Sequence, residues 1–585
     1  MKTIMKNINV RILAVLLITV TFLSSCGLNK MIKEYGEGVS FTPETNPLEN
    51  HGGEVAIEVT GRVSEKYFHP NAKVELIPVL KYDGGERELS VVYLRGEKTS
   101  GEGTVINRNS STTFSFSEVV PFQEDFKESE LVLRADVYRE GDAEESVTLP
   151  EVKVADGVIV TSQRVANDQD LALAPHGYEK ETFVSETANI YFDYMRHNIN
   201  WRFSLNRDDQ AQQEIEDFTE FLKRQWKVKS LEVSAWASPE GEVAYNEELS
   251  EDRAESASVY VERLIDRLED ELDTLLNVPE LIVAAKGEDF DGFMESLNGS
   301  DIQDKQAIAN VINSQLEPAE REKRIKDMTV IYAEIEELLK PLRRAELVAT
   351  LFEPKKSDEE IAMLATENPA ELDVKELLYA ATMVDESNMQ KKLEIYNNAK
   401  RLFPQDYRGF NNAAYVNLAM DNKEAAAQDL EKANQLAPNN GHVQNNLGVV
   451  ASWEKDIENA LSYFEAAQAQ GVDVDYNVGV MMILKGDYQA ALTSFAGRTC
   501  TGNVALAHMM NDDLDAAMTN LECAPETAHV AYLKAVVGAR RDNDTMVFEN
   551  LEKAIDMDAS LKEEAEVDRE FIQYFSRAEF EEAVQ

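Results

Sequence analysis

The sequence contains few of the residues from which metal centres and nucleophilic active sites are built. Its 585 residues include 3 cysteines and 7 histidines, and no His-Glu-x-x-His arrangement, P-loop, dinucleotide-binding fingerprint or Gly-x-Ser-x-Gly turn appears. Pairs of acidic residues are frequent, but in so acidic a chain they are expected on solvated surfaces. We therefore predict no catalytic residue, metal site or cofactor, and we expect the protein not to be an enzyme.

Basic side chains are also scarce relative to acidic ones. The chain has 58 Lys and Arg residues against 108 Asp and Glu residues, which gives a formal net charge of -50 at pH 7. An acid excess of this size repels phosphate backbones, so we exclude nucleic acid as a partner. The excess is typical of a well-solvated surface, and a dedicated cation-binding site is the alternative.

Long hydrophobic runs are confined to the N-terminus. Basic residues including Arg11 precede an apolar stretch from Ile12 to Leu23, and Leu-Ser-Ser-Cys follows. This order is typical of a signal peptide, which we assign to residues 1–25. No other run of 18 or more apolar residues exists to span a bilayer as a helix.

The residues from Leu23 to Cys26 resemble the bacterial lipobox. The resemblance implies that Cys26 becomes the first residue of the mature chain and carries acyl groups such as palmitate, which anchor it stably to a membrane. An ordinary secretion signal with an incidental Cys is the alternative. Gly27 stands where an Asp would indicate retention in the inner membrane, and the next residues lack the acidic cluster of surface-exported lipoproteins. We expect an outer-membrane lipoprotein that faces the periplasm.

Only Cys500 and Cys523 remain after Cys26. An oxidising compartment would permit a disulfide between them, and two buried free thiols are the alternative.

Apolar residues alternate in several stretches before residue 162. "EVAIEVTGRV" places Val55, Ile57 and Val59 on one face, "AKVELIPVLKY" repeats the pattern with Val74 and Leu76, and turn residues such as "DGGE" stand between the stretches. The pattern predicts an antiparallel β-sandwich of the Ig-like kind.

Strand-like and helix-like stretches alternate from about residue 186. "NIYFDY" and "SLEVSAWAS" are followed by helical patterns, "ELIVAAKGEDF" and "AELVATLFEP" are further strands, and a charged helical stretch runs from Asp301 to Leu342. The order predicts a small α/β domain with a helical insertion.

Beyond Pro354 the chain contains an internal repeat. A step of 34 residues places Ala414 over Gly448 and Leu430 over Phe464, and Gly479 belongs to a third copy. This is the period of tetratricopeptide (TPR) repeats, with small residues where paired helices approach each other closely. We predict an all-α TPR solenoid with a C-terminal capping helix, and an unrelated helical bundle is the alternative.

The turn after the second α/β strand resembles that of the OmpA-like, peptidoglycan-associated domain. In that family a Gly-ended turn leads to Asn, then Leu-Ser, then Arg-Ala; the matching residues here include Gly241, Asn246 and Arg253. The segment "PLRRAELVATL", with Arg343 and Arg344, resembles the last helix-to-strand passage of the family. The "SPEG" turn and the helical insertion resemble a variant from Bacteroidota.

The family binds the carboxylate and ammonium of diaminopimelate in the cell wall, the Arg facing the carboxylate and an Asp facing the ammonium. The resemblance therefore implies Asn246, Arg253, Ser238 and Arg344 as candidate peptidoglycan-binding residues. Ser238 stands where the family has Asp, and Glu240 substitutes for it only if the turn is remodelled. A structural ion pair of Arg253 with Glu251 or Glu255 is the alternative.

These patterns together indicate a multidomain protein. We predict a lipid-anchored scaffold or adaptor that binds protein partners of an outer-membrane complex through its TPR repeats and its β-sandwich; a tether that binds peptidoglycan is the alternative. A glycan-binding role for the repeats is less favoured, because Trp453 is the only one of the four Trp residues within them. The predicted segments are 1–25 signal peptide, 26–50 lipidated Cys and tether, 51–162 β-sandwich, 163–185 linker, 186–355 OmpA-like domain with insertion and 356–585 TPR repeats.

Overall fold

A computed structural model describes residues 28–140, 146–240, 242–302 and 332–584, and, between 303 and 331, residues 305–312, 314, 317, 320, 323, 324 and 327. Cys26 and Gly241 lie outside the described residues. The chain forms two compact units: one contains residues up to Pro175 together with those from Val384 onward, and the other contains His176–Met383. Among the described residues no helix is long and apolar enough to cross a bilayer.

The N-terminal part of the first unit is rich in β-structure. Two short helices, α1 and α2, precede eleven strands among the residues described before Thr161. The elements are α1 Leu28–Lys33, α2 Tyr35–Gly38, β1 Val39–Pro43, β2 Leu48–His51, β3 Glu54–Val63, β4 Ala72–Tyr82, β5 Gly85–Glu88, β6 Val92–Gly96, β7 Thr104–Ile106, β8 Thr112–Pro121, β9 Glu130–Arg139, β10 Val147–Asp156 and β11 Val158–Ile159.

These strands form two sheets that share one core. The first has the order β1-β3-β2-β11, with β8 also pairing with β3, and the second has the order β10-β9-β4-β6-β7, with β5 pairing with β4. Every second residue of β3 is buried, because alternate side chains of a strand point to one face. Most pairs are antiparallel as predicted, but β11 pairs with β2 and β6 with β7 in parallel. β1 and β2 lie within residues 39–51. Because these strands are short and prolines stand beside them, the alternation of apolar and polar side chains is not visible in the sequence.

The second unit contains a four-stranded sheet. Its strands have the order β12-β15-β13-β14, with β13 and β14 parallel and the other pairs antiparallel. Apolar side chains of the sheet and of helices α3 and α4 form its core. The elements are β12 Phe183–Tyr191, α3 Asp209–Leu222, β13 Val228–Ala237, α4 Val243–Leu272, β14 Ile282–Glu288, α5 Phe290–Gly299, α6 Lys305–Ile312, α7 Tyr332–Leu339, β15 Arg344–Phe352, α8 Asp358–Glu367 and α9 Val374–Thr382.

The first unit resumes at Val384 with a series of paired helices. Its helices are α10 Met389–Leu402, α11 Tyr407–Ala419, α12 Lys423–Leu436, α13 Gly441–Trp453, α14 Ile457–Gln468, α15 Asp475–Leu484, α16 Tyr488–Ser494, α17 Gly502–Met510, α18 Leu514–Cys523, α19 Ala528–Arg540, α20 Asp544–Met557, α21 Leu561–Val567 and α22 Ala578–Ala583. Helices α11 to α20 form five consecutive pairs, which confirms a helical C-terminal region of the TPR type.

Small residues allow the two helices of a pair to approach closely, as the repeat alignment predicts. A Cβ atom on Gly448 would lie 2.6 Å from the ring of Phe464, and one on Gly479 would lie 2.4 Å from the ring of Phe495. A larger residue at either position would force the helices apart. Phe571, Tyr574 and Phe580, after the last pair, join the same apolar core and cover its end.

Candidate functional site

Residues 164–174, the groove segment, lie against the first helices of four successive repeats. Each of those helices carries one buried Asn whose side chain bonds twice to a single residue of the segment: Oδ1 accepts the backbone N–H, and Nδ2 donates to the backbone carbonyl. The four pairs, with distances of 2.7 to 3.0 Å, are Asn503 with Ala166, Asn477 with Asp170, Asn446 with Ala172 and Asn412 with Ala174.

Two further asparagines strengthen this row. Nδ2 of Asn411 donates to the carbonyl of Ala172 at 3.0 Å, and Nδ2 of Asn445 donates to the carbonyl of Asp170 at 2.9 Å. All six asparagines are at most 2% exposed. A buried amide without a partner is costly, whereas an Asn side chain offers the same acceptor and donor as a peptide unit. The row therefore recognises the backbone of an extended polypeptide.

Side chains of the groove segment make additional contacts with the repeats. Gln169 donates to Ser452 Oγ at 2.9 Å and accepts from the indole N–H of Trp453 at 2.5 Å. At the end of the array, Arg164 stacks 3.9 Å from the ring centroid of Tyr532 and forms an ion pair with Asp568 at 2.9 Å. These contacts select the side chains as well as the backbone of the segment.

The sequence carries a signal for this site. Asn412, Asn446, Asn477 and Asn503 each stand two residues before the small residue that marks the first helix of a repeat, namely Ala414, Gly448, Gly479 and Ala505. A polar residue that recurs on a buried helix face requires partners. The sequence alone did not indicate that the partner is a segment more than 200 residues earlier in the chain.

The β-rich region also contacts the repeats within the first unit. Nδ1 of His51 lies 2.7 Å from the hydroxyl of Tyr488, and the hydroxyl of Thr161 donates to Glu570 at 2.6 Å. Glu570 in turn pairs with Arg540 at 2.6 Å. The groove segment therefore follows directly after residues that form polar contacts between the β-rich region and the repeats.

A disulfide joins the two cysteines for which the sequence leaves open a bond or two free thiols. Cys500 and Cys523 form a disulfide with their Cα atoms 4.9 Å apart. Cys500 precedes α17 and Cys523 ends α18, so the bond closes one helix pair. Among the described residues no group of three or more His, Cys, Asp or Glu side chains is arranged to hold a metal ion.

A second candidate site lies in the α/β unit, where β13 leads into α4. Ser238, Asn246 and Arg253 line one cavity of about 250 Å³ together with Glu240. Arg344 is not among its lining residues; it pairs with Asp289 at 2.6 Å, and its guanidinium lies 4.6 Å from the ring centroid of Trp236. The structure thus brings together three of the four residues implied by the family resemblance.

The turn before α4 places a carboxylate beside Ser238. The backbone N–H of Glu240 donates to the carbonyl of Ser238 at 2.7 Å, and the Ser238 hydroxyl donates to Glu240 Oε1 at 2.8 Å. Asn246 holds the turn by donating to the carbonyl of Glu240 at 2.9 Å. Glu240 therefore places a carboxylate next to Ser238, but Arg343 pairs with the same Oε1 at 2.5 Å. Among the described residues Oε2 of Glu240 accepts no hydrogen bond.

Arg253 is 1% exposed and bonds to backbone carbonyls. Its guanidinium donates to the carbonyls of Arg196 and Trp236 at 2.9 Å and of Asp193 at 3.4 Å, not to Glu251 or Glu255. Two of its five N–H groups have no bond among the described residues. Burial, with a smaller contribution from Arg343, lowers the pKa of Arg253 to about 10, so the guanidinium is charged at pH 7.

The cavity therefore presents a cation and an anion side by side. Among the described residues, two N–H groups of Arg253 and Oε2 of Glu240 have no hydrogen-bond partner. Exposed side chains of Tyr194, Met195 and Tyr245 form its rim. This arrangement suits a small zwitterionic group that carries one ammonium and one carboxylate.

Neither a protein-family profile nor a curated protein sequence matches the chain. Solved structures that are similar to it are TPR proteins. One from Parabacteroides merdae is 16% identical, with a TM-score of 0.29, and the match covers 36% of this chain and 90% of that one.

YrrB, described as a TPR protein with an unusual peptide-binding site, is 21% identical, with a TM-score of 0.21 and coverage of 35% and 94%. PilF from Pseudomonas aeruginosa is 15% identical, with a TM-score of 0.26 and coverage of 39% and 98%. Such low values carry no functional argument, so the assignment of TPR architecture rests on the helix pairs and their 34-residue period.

Proposed function

We propose that the protein is a non-enzymatic scaffold of the bacterial cell envelope in which the repeats hold the chain's own groove segment. The observation that carries the proposal is the row of buried asparagines bonded to residues 164–174. The groove segment fills the surface of the repeats that binds polypeptide backbone. Because the segment is continuous with the β-rich region, the β-rich region and the repeats act as one rigid body. Protein partners then bind to the outer surfaces of this body.

The proposed place of action is the periplasmic face of the outer membrane. It is supported by the signal peptide and by the lipobox-like residues that end at Cys26, which lie outside the described residues. The test is fractionation of cells that express the wild type or a Cys26→Ser variant. The wild type should sediment with outer membranes and the variant should not. A variant that sediments like the wild type would contradict lipid anchoring.

The groove segment is tested by proline substitution at adjacent positions. Ala172→Pro removes the N–H that donates to Asn446 Oδ1 at 2.8 Å, so this buried oxygen keeps only the donor Asn445 Nδ2 at 3.2 Å, and the lost bond costs about 0.5–1.5 kcal/mol. Leu173→Pro is the matched control, because the described structure gives its N–H no bond to the asparagine row. Thermal unfolding of the first unit should shift more in A172P than in L173P, and equal shifts would contradict the proposed clamp.

A second function is favoured by the cavity at Arg253. We propose that it binds the zwitterionic end of a diaminopimelate-type side chain and so tethers the protein to peptidoglycan. The residues match the OmpA-like resemblance, and Glu240 supplies the carboxylate that Ser238 lacks. Removal of a charged partner from such a site costs about 2–5 kcal/mol of binding free energy.

The test is co-sedimentation of the mature full-length chain with purified sacculi. Arg253→Gln should lower binding at least about thirtyfold, which corresponds to the lower end of that range. Arg344→Gln is the control because Arg344 lies outside the cavity. Failure of the wild type to bind sacculi would exclude the tether and leave the scaffold proposal intact.

A further inference from the structure

The α/β unit has a second cleft, which shares helix α4 and the loop after β12 with the Arg253 cavity. Its volume is about 550 Å³, and its walls are residues 197–199, Trp201 and one face of α4. The face includes Asp252, Glu255 and Arg263. Neither the OmpA-like resemblance nor the proposed zwitterion site assigns this cleft a role.

The floor of the cleft is aromatic and open to solvent. Trp201 is 45% exposed, and its ring centroid lies 5.2 Å from that of Tyr260. Val259 beside them is also exposed. A solvent-exposed indole beside a second ring offers a large apolar contact area to a ligand. Such a patch in a concave site is characteristic of ligand binding.

The loop that carries Trp201 is held by hydrogen bonds. Asn206 donates to the carbonyls of Tyr191 at 2.8 Å and Asn200 at 3.0 Å, and Asn200 donates to Asp193 at 2.8 Å. The exposed ring is therefore presented by an anchored loop. Because the loop is already ordered, a ligand that stacks on this ring binds at a small cost in conformational entropy.

Polar side chains of both signs surround the aromatic floor. Among the described residues, the side chains of Asp252, Glu255, Arg263 and His197 form no ion pair or hydrogen bond with another side chain. Two carboxylates and a guanidinium can accept from and donate to hydroxyl groups at the same time. The mixture does not favour a phosphate or a highly charged ligand, because each sign is offset by the other.

We propose that this cleft binds a pyranose unit of a polysaccharide. The C–H face of the sugar ring packs on Trp201, and its hydroxyl groups bond to the free polar side chains of α4. The proposal rests on geometry separate from the zwitterion cavity but extends the tether function. The two sites share α4 and the loop of residues 193–201, so one wall fragment can present its glycan to the cleft and its peptide to the cavity.

The test measures binding of the mature full-length chain to peptide-free glycan strands, prepared from sacculi with an amidase, and to cellotetraose. Tryptophan fluorescence and calorimetry report binding. Trp201→Ala should weaken binding to glycan strands at least about tenfold, and Trp201→Phe should weaken it less because a ring remains. Phe183→Ala, at another exposed aromatic of the same unit, is the control and should bind as the wild type does.

The outcomes separate the two proposals. Wild-type binding to peptide-free strands that Trp201→Ala loses and Phe183→Ala retains supports the cleft, whether or not stem peptide binds. Binding to cellotetraose as tight as to wall glycan identifies pyranose polymers in general as the ligand class. No wild-type binding to either sugar, or equal binding by W201A, would overturn the inference; stem-peptide binding that depends on Arg253 would then leave the tether proposal standing.

Discussion

At the scale of single residues, the asparagines of the repeats explain how a helical surface can hold an irregular segment. An Asn side chain carries one acceptor and two donors, which match the carbonyl and N–H of a peptide unit. Asn446, for example, bonds to both groups of Ala172. The amides also bond to one another, as Asn446 does to Asn411 at 3.1 Å, and the segment supplies the partners that complete the hydrogen bonding of the row.

The buried ion pair in the α/β unit gives a prediction at the same scale. Glu240 and Arg343 are each less than a tenth exposed, so Glu240→Gln leaves a buried cation without its carboxylate. We expect a loss of about 3–5 kcal/mol in the free energy of unfolding. A double variant, E240Q with R343M, should recover much of the loss.

Tryptophan fluorescence during urea unfolding measures this effect, because Trp201, Trp226 and Trp236 belong to the α/β unit. Glu271→Gln, which breaks a surface pair with Lys223, should change stability by less than about 1 kcal/mol. Equal effects of E240Q and E271Q would contradict the buried pair.

His529 in α19 gives a prediction for pH dependence. Its buried Nε2 has no hydrogen-bond partner in the part of the chain that the structure describes, and burial, assisted by Arg164, lowers its pKa to about 4. Below the ordinary histidine pKa of about 6.5 the unfolded chain binds a proton that the folded chain does not. The stability of the first unit should therefore fall as pH decreases from about 6.5 to 4.

His529→Gln should flatten this part of the stability curve, because Gln does not titrate. His508→Gln in α17 serves as the control for loss of a histidine. Calorimetric unfolding at several pH values measures the effect. If the stability of the wild type and that of H529Q depend on pH in the same way between pH 4 and 6.5, His529 is not buried as a neutral side chain.

At the scale of elements, periodicity explains what the sequence predicted well. The 34-residue step and its small residues predicted the helix pairs, and alternation predicted β3, β4 and the α/β strands. β1 and β2 were missed because they are short and flanked by Pro43 and Pro47. Local patterns cannot show the pairing of residues 164–174 with helices far along the chain.

The asparagine row illustrates the same limit. Its members are separated by 34, 31 and 26 residues, so the shortened later repeats obscure their common position. For the cavity, the family motif predicted Ser238, Asn246 and Arg253. The roles of Glu240 and Arg343 depend on the tight turn at residues 238–240, which spacing alone does not reveal.

The disulfide gives a prediction at the element scale. Cys500 and Cys523 close a loop with a sequence separation of 23 residues, and a loop of that length is expected to stabilise by about 3 kcal/mol. Reduction should lower the unfolding temperature of the first unit. The Cys500→Ser, Cys523→Ser double variant should begin at the lower temperature and not respond to reductant; a wild type that also does not respond would contradict the bond.

At the scale of the whole molecule, the first unit is assembled from distant parts of the sequence. The β-rich region and the repeats are separated in the chain by the α/β unit, and the groove segment and the contacts of His51 and Thr161 join them. Such a unit resists separation of its parts. This property suits a scaffold more than a receptor with a free peptide groove.

Hydrogen exchange of the backbone amides of residues 164–174, followed by mass spectrometry, tests this central claim most directly. The N–H groups of Ala166, Asp170, Ala172 and Ala174 are bonded to buried asparagines, so their exchange should be protected to an extent comparable with that of α13 and α15. Protection should fall in an Asn446→Ala, Asn477→Ala double variant. Exchange of the segment in the wild type at the rate of an unstructured linker would show that the groove is open and would contradict the account.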